Sequence, residues 1–384
     1  MAERPVLIVG SGLAGYAVMR ELRKLSDTIQ ITMLSSGHGG FYSKPMLSNA
    51  LTTGKTADSI LSADAAQMSS QLKSVIHSHI RVQSIHPENN YIGLENGEQR
   101  SYERLVLALG SDPIRLPLAG SGAQAVLSVN DLDDYRCFRE ALVEKKRIAI
   151  LGAGLIGCEF ANDLAAQGYH VTVFDLSPQP LGRLLPPQAG QFLQDKLTAI
   201  GVDFKFNSSV SRIEADGAQY RLFFGDEKSV DVDLVLSAIG LKPRTALAQA
   251  AGIDINRGIK VNQYLQTNFA DIYALGDCAE VAGKVLPFVM PITHAGRALA
   301  ATLAGTPTLL HYPAMPVLVK TPACPTVVSP PDPAASGEWE INASKDGVKA
   351  LYRSEKGDLL GFALVGTATA ERGALTAQLP SILP

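Results

Sequence analysis

The stretch IAILGAGLIGCEFANDLAAQGYHVTVFD, Ile148 to Asp175, has the most specific pattern in this 384-residue chain. It opens with four apolar residues, which are typical of a buried strand in a parallel sheet. A G-x-G-x-x-G turn, a segment with helical periodicity and a second apolar run follow in that order. A lone glycine-rich turn is a weak signal, but here the strand before it and the helix after it supply the context that the motif needs. The stretch therefore predicts a strand–turn–helix–strand unit that binds a dinucleotide.

The three glycines of this turn have separate duties. We expect Gly152 to permit the tight turn out of the strand, Gly154 to leave room for a pyrophosphate, and Gly157 to let the helix pack closely on the sheet. The helix N-terminus would offer unpaired N–H groups and a positive dipole end to the phosphates. Asp175, at the end of the second strand, would bind a ribose 2′-hydroxyl and repel a 2′-phosphate, which favours NAD over NADP. Arg183 is near enough in sequence to leave NADP open.

The chain begins with a second copy of the pattern, VLIVGSGLAGYAVMREL, Val6 to Leu22. Its glycines have the same spacing and the same expected duties: Gly10, Gly12 and Gly15. The next strand ends in Ser35 and Ser36, where an acidic residue would be expected, and a serine hydroxyl can bind a ribose without charge. We call the turn at Gly10–Gly15 the first cradle and the turn at Gly152–Gly157 the second cradle. The first cradle could have a purely structural role without binding a nucleotide, but three further motifs favour two bound nucleotides.

Composition limits the classes of function. A chain of this length indicates two or three domains. The formal charge of −3 gives no basic excess, so we expect no nucleic-acid partner. Four widely separated cysteines without metal-type spacing favour reduced thiols in a cytoplasm and no metal site. Glycines interrupt the first apolar run, so we expect neither a signal peptide nor a membrane span.

Three further motifs extend the pattern. TNFADIYALGDCAE (Thr267–Glu280) places a strand before a Gly-Asp pair, while LVLALGSDP (Leu105–Pro113) and LVLSAIGLKPRT (Leu234–Thr245) are strand-to-glycine turns. In this order the five motifs resemble those of the FAD-dependent pyridine nucleotide-disulfide reductase superfamily. The resemblance implies an α/β protein with two Rossmann-like dinucleotide-binding domains, one for FAD and one for NAD, and a small α+β C-terminal domain.

The order of the motifs also implies domain boundaries. The FAD-binding domain would be discontinuous and comprise residues 1–115 and 241–315, with the NAD-binding domain, 116–240, inserted between them. The C-terminal domain, 316–384, would be smaller than the dimerisation domain of the disulfide reductases, so we expect a monomer.

The region beside the expected flavin indicates the electron acceptor. GGFYSKPMLSN (Gly39–Asn49) lies where the superfamily's disulfide reductases have a cysteine pair and its NADH oxidases and peroxidases have one cysteine, yet no cysteine precedes Cys137. Electrons would therefore pass directly from the flavin to an external acceptor. YSKPMLS (Tyr42–Ser48), the second cradle and MPVLVKTPACPTVVSPP (Met315–Pro331) are similar to the NADH:rubredoxin reductase family. That resemblance implies electron flow from NADH through FAD to rubredoxin, an acidic one-electron iron carrier that feeds alkane hydroxylation.

Three alternatives stay open at this point. One is a reductase for a [2Fe–2S] ferredoxin, although such enzymes have a larger C-terminal domain. An oxidase that reduces oxygen is disfavoured by the missing thiol. The third is a flavoprotein whose redox state acts as a signal without turnover.

The resemblance further implies roles for individual residues. Lys44 and Glu159 would form an ion pair near flavin N5 and orient the nicotinamide. Asp277 would bind the ribityl chain of FAD, while Cys278 would pack without redox chemistry. Other implied FAD contacts are the backbone N–H groups of Leu13 and Ala14, the backbone of Val82 on the family's third strand, Val289 just before a helix starting near Pro291, and the cation of Lys320.

A basic rim near the flavin would suit an acidic carrier. Lys242, Arg244 and Lys320 are the candidates for this docking rim.

Overall fold

The computed structural model describes residues 5–226 and 228–384. The first cradle belongs to a five-stranded parallel sheet whose central strand is Val6–Val9. In sheet order its strands are Ile272–Ala274, Arg104–Leu107, Val6–Val9, Ile31–Leu34 and Val75–His77. The first cradle helix, Leu13–Leu25, packs against the late helix, Val289–Leu303, and both share one hydrophobic core with the sheet. Strands buried on both faces explain the uninterrupted apolar runs in the sequence.

The second cradle belongs to a four-stranded parallel sheet. In sheet order its strands are Val202–Lys205, His170–Phe174, Arg147–Leu151 and Leu234–Ser237. The second cradle helix, Leu155–Ala166, is buried along most of its length, including three polar residues. Buried polar groups need hydrogen-bond partners, so this helix must contact polar groups of other segments.

The C-terminal region forms a five-stranded antiparallel sheet. In sheet order its strands are Val317–Val319, Thr326–Ser329, Leu359–Gly366, Gly347–Arg353 and Glu338–Ala343. The helix Pro187–Ala199 packs on this sheet, and its buried residues share a core with the second cradle helix. The C-terminal sheet is thus fixed against the second cradle unit.

Shorter elements complete the fold. The two segments that connect the parallel sheets pair with each other as antiparallel strands, Ser111–Pro113 and Leu241–Pro243. The other strands are Phe41–Tyr42, Leu61–Ala63, Val82–His86, Tyr91–Leu94, Gln99–Ser101, Val210–Asp216, Gln219–Phe224, Lys228–Val232, Ile259–Val261 and Ala279–Val281. The other α-helices are Ala57–Ile60, Ala65–Gln71, Leu132–Ala141, Ala246–Ala250 and Arg372–Thr376, and the 3-10 helices are Lys44–Asn49, Pro87–Asn89, Ala123–Ala125, Gly276–Cys278 and Thr367–Glu371.

The predicted fold class, α/β with two Rossmann-like units and a small C-terminal domain, is confirmed. Val82 lies on a strand, as predicted, but that strand is not the one beside Ile31–Leu34, which is Val75–His77. Val82 instead begins an antiparallel strand paired with Tyr91–Leu94. His79, with φ of 56°, turns the chain out of the parallel sheet before Val82 is reached. Among the described residues, no helix is long and apolar enough to cross a membrane.

Candidate active site

The outer glycines of both cradles are required by the fold itself. Gly10 and Gly152 have φ of 114° and 105°, which side chains rarely adopt. A Cβ on Gly15 would lie 2.0 Å from the Gly10 carbonyl oxygen, and one on Gly157 would lie 1.9 Å from that of Gly152. These glycines therefore let each helix approach its strand without clash.

The middle glycines face open space. A Cβ on Gly12 or Gly154 would meet no atom of the described residues within 4 Å. Each is the N-cap of its cradle helix, and no side chain in the described part of the chain caps either helix. In the first cradle helix, intrahelical bonding starts with the Tyr16 N–H donating to the Gly12 carbonyl (3.1 Å), which leaves the N–H groups of Leu13 and Ala14 pointing out of the N-terminus. Open space beside unpaired N–H groups fits the pyrophosphate of a dinucleotide.

Asp175 lies beside the glycine turn of the second cradle. Its carboxylate accepts hydrogen bonds from the backbone N–H groups of Ala153 (2.6 Å) and Ser177 (2.7 Å). These bonds hold the negative charge beside the glycine turn, at the carboxyl end of the sheet. Arg183 is exposed.

Ser35 takes the corresponding place in the first cradle. It directly follows its strand, as Asp175 does, and its hydroxyl lies 2.7 Å from that of Ser11 in the glycine turn. Ser35 is buried and Ser36 is exposed. A hydroxyl pair thus stands where the second cradle has a carboxylate.

Glu159, on the second cradle helix, is only 1% exposed. Its carboxylate accepts hydrogen bonds from the Ser48 hydroxyl (2.5 Å) and from the Lys320 backbone N–H (2.9 Å), and it forms an ion pair with the Lys320 ammonium. The predicted Lys44–Glu159 pair is therefore wrong. The chain leaving strand Val317–Val319 brings both donors of Lys320 onto Glu159, and this pairing also removes Lys320 from the docking candidates.

Lys44 instead begins a hydrogen-bonded chain that ends at Asp277. Its ammonium donates to the Asn130 side-chain oxygen (2.7 Å), and the Asn130 amide donates to the Ser111 carbonyl (2.9 Å). The Ser111 hydroxyl donates to the Asp277 carboxylate (3.0 Å). Burial lowers the pKa of Lys44, the charge of Asp277 opposes that shift, and Arg244 reinforces it. The structure thus brings Lys44 and Asp277 to one site, as predicted, through two residues that the sequence did not indicate.

Two more buried polar residues lie on the same face of the second cradle helix as Glu159. Asp163 accepts hydrogen bonds from the backbone N–H groups of Leu51 (2.9 Å) and Thr52 (2.9 Å) and from the Thr52 hydroxyl. Asn162 accepts one from the Ala323 N–H (3.1 Å). The spacing i, i+3, i+4 of three polar residues in an otherwise apolar helix is a signal that could have identified this face.

The late helix begins at Val289, two residues before the predicted start near Pro291. Proline is tolerated there because first-turn N–H groups have no intrahelical acceptor. Val289 is 43% exposed, and within the described ranges no side chain caps the helix start. This N-terminus therefore offers a third positive dipole end.

All four cysteines lie in the described ranges and are free. Cys278 is fully buried, and burial raises its pKa to about 11. Its sulfur lies 3.4 Å from the Leu275 carbonyl oxygen. Cys278 is thus a protonated packing residue at neutral pH, as predicted.

Comparison with known proteins agrees with this arrangement. The pyridine nucleotide-disulphide oxidoreductase family matches residues 4–302, and the rubredoxin binding C-terminal domain matches residues 309–379. The chain is 46% identical to the rubredoxin-NAD(+) reductase of Acinetobacter baylyi, with 99% of each chain covered. It is 45% identical to that of Alcanivorax borkumensis, covering 99% of this chain and 100% of the relative.

Among solved structures, the ferredoxin reductase for the CYP199A2 system of Rhodopseudomonas palustris superposes with a TM-score of 0.89 at 27% identity. The superposition covers 100% of this chain and 96% of that one. The resemblance read from the motifs is confirmed: the chain belongs to the pyridine nucleotide-disulphide oxidoreductase family, in its group of rubredoxin-NAD(+) reductases.

Proposed function

We propose that the protein passes electrons from NADH through bound FAD to rubredoxin. The observation that carries this proposal is the contact between Glu159, on the second cradle helix, and Lys320. Lys320 lies in the region that matches the rubredoxin binding domain. The name of relatives that are 45% and 46% identical over nearly the whole chain supports the same acceptor.

The first cradle would hold FAD and the second would hold NADH. Around FAD, the N–H groups of Leu13 and Ala14 would bind the pyrophosphate, and Asp277 would accept a hydrogen bond from the ribityl chain. Other proposed FAD contacts are the cradle glycines Gly10, Gly12 and Gly15, the hydroxyls of Ser35 and Ser36, the backbone of Val82, Val289, and the polar groups Lys44, Glu159 and Lys320. Around NADH they are Gly152, Gly154, Gly157 and Asp175.

FAD, when bound, would accept one hydride, which carries two electrons, and would release those electrons one at a time to an iron carrier. The chain would orient the nicotinamide and stabilise developing negative charge. Lys44 supplies a cation held by a neutral partner, and the start of the late helix supplies a positive dipole end. Glu159 and Lys320 neutralise each other and hold the C-terminal region against the second cradle helix.

We further propose that the domains divide as the motif order implies, at about 115, 241 and 316. The pairing of strands Ser111–Pro113 and Leu241–Pro243 supports the first two boundaries, because both crossings between the parallel sheets meet there. A cytoplasmic location and a role in supplying alkane hydroxylation rest on the family resemblance. NADH-dependent alkane hydroxylation by a purified hydroxylase that requires both rubredoxin and this protein would establish that role.

The proposed function is tested by mixing the purified yellow protein anaerobically with NADH and then adding acceptors one at a time. We expect rapid flavin bleaching by NADH and rapid reoxidation by rubredoxin, but not by a [2Fe–2S] ferredoxin or oxygen. Faster reoxidation by either of those would overturn the acceptor. Bleaching too slow for turnover would favour a redox-sensing flavoprotein.

Replacing Asp175 with asparagine should weaken the preference for NADH over NADPH. The amide oxygen can still accept the Ala153 N–H, but the charge that repels a 2′-phosphate is gone. We expect the ratio of kcat/KM for NADH to that for NADPH to fall about 10-fold, equivalent to ~1.4 kcal/mol. Steady-state rates with each coenzyme measure this, with melting temperature as the fold control. An unchanged ratio would show that Asp175 does not set the coenzyme preference.

Charge reversal at Lys242 should weaken rubredoxin docking. Lys242 is exposed, whereas its neighbour Arg244 is already paired with Asp112 (2.6 Å). In Lys242→Glu we expect a KM for rubredoxin about 5-fold higher at low salt and a flatter salt dependence. The control is Lys24→Glu, at the far end of the first cradle helix, about 18 Å from its N-terminus. Because Lys24 is paired with Glu21 (2.7 Å), the melting temperature of this variant is measured as well. Equal KM values in both variants would take Lys242 off the docking face.

A further inference from the structure

Lys44 is held by an amide, not by a carboxylate. Its ammonium donates to the Asn130 side-chain oxygen at 2.7 Å. The charged groups that face it through space are Asp277, Asp131, Asp134 and Arg244. Glu159, the carboxylate expected for Lys44, is neutralised by Lys320. The hydrogen-bond partner of the Lys44 ammonium therefore does not cancel its charge.

Asn130 has one possible orientation. The residue is 7% exposed, and its side-chain amide nitrogen donates to the Ser111 carbonyl at 2.9 Å. The oxygen of the same amide must then face Lys44, because an inverted amide would set two donors against each other. The Asn130 backbone N–H donates to the Asp134 carboxylate (2.9 Å), which fixes the residue just before helix Leu132–Ala141.

The Asn130 amide also ties Lys44 to the first sheet. Ser111 accepts from Asn130 through its carbonyl and donates through its hydroxyl to Asp277, at the carboxyl end of strand Ile272–Ala274. A displacement of Asn130 would thus move Lys44 relative to Asp277.

We propose that Asn130 is a positioning residue for the electron-transfer reaction, which holds the Lys44 ammonium beside Asp277 without cancelling its charge. This inference rests on the proposed function, in which negative charge develops beside Lys44 as hydride arrives. A neutral acceptor fixes the direction of a cation and leaves its field available to that charge. An aspartate in the same place would still accept from the Lys44 ammonium, but it would compensate the charge of that ammonium and could not donate to the Ser111 carbonyl.

Two substitutions of Asn130 separate the effect of holding the Lys44 ammonium in place from the effect of compensating its charge. Asn130→Asp adds a carboxylate that raises the pKa of Lys44, whereas Asn130→Leu removes the acceptor and lowers that pKa further. If flavin reduction needs cationic Lys44, its rate falls as pH rises through the pKa of Lys44. We expect this alkaline limb to move to higher pH in Asn130→Asp and to lower pH in Asn130→Leu. Below the limb, Asn130→Asp should reduce the flavin about 10-fold more slowly than the wild type.

The measurements are the stopped-flow rate of flavin reduction by NADH in the FAD-bound proteins across the alkaline range, without rubredoxin, and the midpoint potential of the bound flavin. We expect this potential to fall in Asn130→Asp and in Lys44→Met, because both lose the uncompensated cation. Lys44→Met serves as the reference, because it should abolish the limb in the wild-type and Asn130→Asp backgrounds alike. Should Asn130→Leu fail to fold, Asn130→Asp with and without Lys44→Met decides the question. Limbs that stay in place, move in the same direction, or survive Lys44→Met would overturn the proposal.

A different result would contradict the proposed function. A wild-type protein that is reduced by NADH but does not reduce rubredoxin would overturn the acceptor and leave the test of Asn130 intact.

Discussion

Replacing Glu159 with glutamine should slow reduction of the bound flavin by NADH at least about 10-fold and lower the melting temperature of the holoprotein. Glutamine keeps the size of the side chain, but its single oxygen can accept from only one of the two donors that bind separate oxygens of Glu159, the Ser48 hydroxyl and the Lys320 N–H. It removes the counter-charge of the Lys320 ammonium, whose side chain is only 24% exposed. Removing one partner of a buried ion pair typically costs about 3–5 kcal/mol, because the other charge stays buried and unpaired. Lys320 would then reorient, and the C-terminal segment would shift against the second cradle helix.

The loss of stability and the loss of rate can be separated with two further variants. Lys320→Met removes the other charge, and the double variant Glu159→Gln/Lys320→Met leaves neither charge unpaired. We expect the double variant to melt above both single variants. Flavin reduction should stay slow, because the Ser48 hydroxyl loses the carboxylate that accepts its hydrogen bond in the wild type. Stopped-flow reduction and thermal melting on the same samples measure both quantities. Wild-type reduction rates in Glu159→Gln would remove Glu159 from the candidate active site.

Replacing each middle glycine with valine should weaken the binding of one cofactor and leave the binding of the other unchanged. Gly12→Val is expected to weaken FAD binding by about 100-fold or more, so that the protein purifies largely colourless. Gly154→Val should retain FAD but raise the KM for NADH about 100-fold. Both glycines have extended backbone, with φ of −73° and −72°, which valine adopts readily. A Cβ at either position meets no atom of the described residues within 4 Å, so we expect the added side chain to clash with a bound pyrophosphate.

Gly157→Ala is the contrasting variant, since its Cβ would lie 1.9 Å from the Gly152 carbonyl oxygen. We expect Gly157→Ala to lower the yield of folded protein. Both valine variants, stripped of FAD, should melt at the same temperature as the wild-type protein stripped of FAD. Flavin content and NADH titration report the two affinities. The assignment of one cofactor to each cradle would be wrong if either valine substitution affected both cofactors equally, or if Gly12→Val altered only the response to NADH.

The cradles were predictable from the sequence because their geometry is local. A strand, a glycine turn and a helix follow one another within about 20 residues, and the backbone angles of Gly10 and Gly152 are set by the turn itself. The late helix was predicted within two residues of its start for the same reason. The position of Val82 was less predictable, because the turn at His79 directs the following strand away from the parallel sheet.

The ionic partners were not predictable, because they come from distant segments. The sequence indicated Lys44, Glu159 and Lys320 as site residues but paired the wrong two. Ser48 lies 111 residues from Glu159, and Asn130 lies 86 residues from Lys44. No local periodicity encodes such contacts.

Residue order and short-range backbone geometry were enough to predict the α/β class, the two dinucleotide cradles and the family. The pairing of Lys320 with Glu159 and of Asn130 with Lys44 became visible only in the folded protein. The physical reason is that a buried charge is satisfied by whichever donors the packing of the sheets and helices brings within hydrogen-bond distance, and that packing is a property of the whole chain.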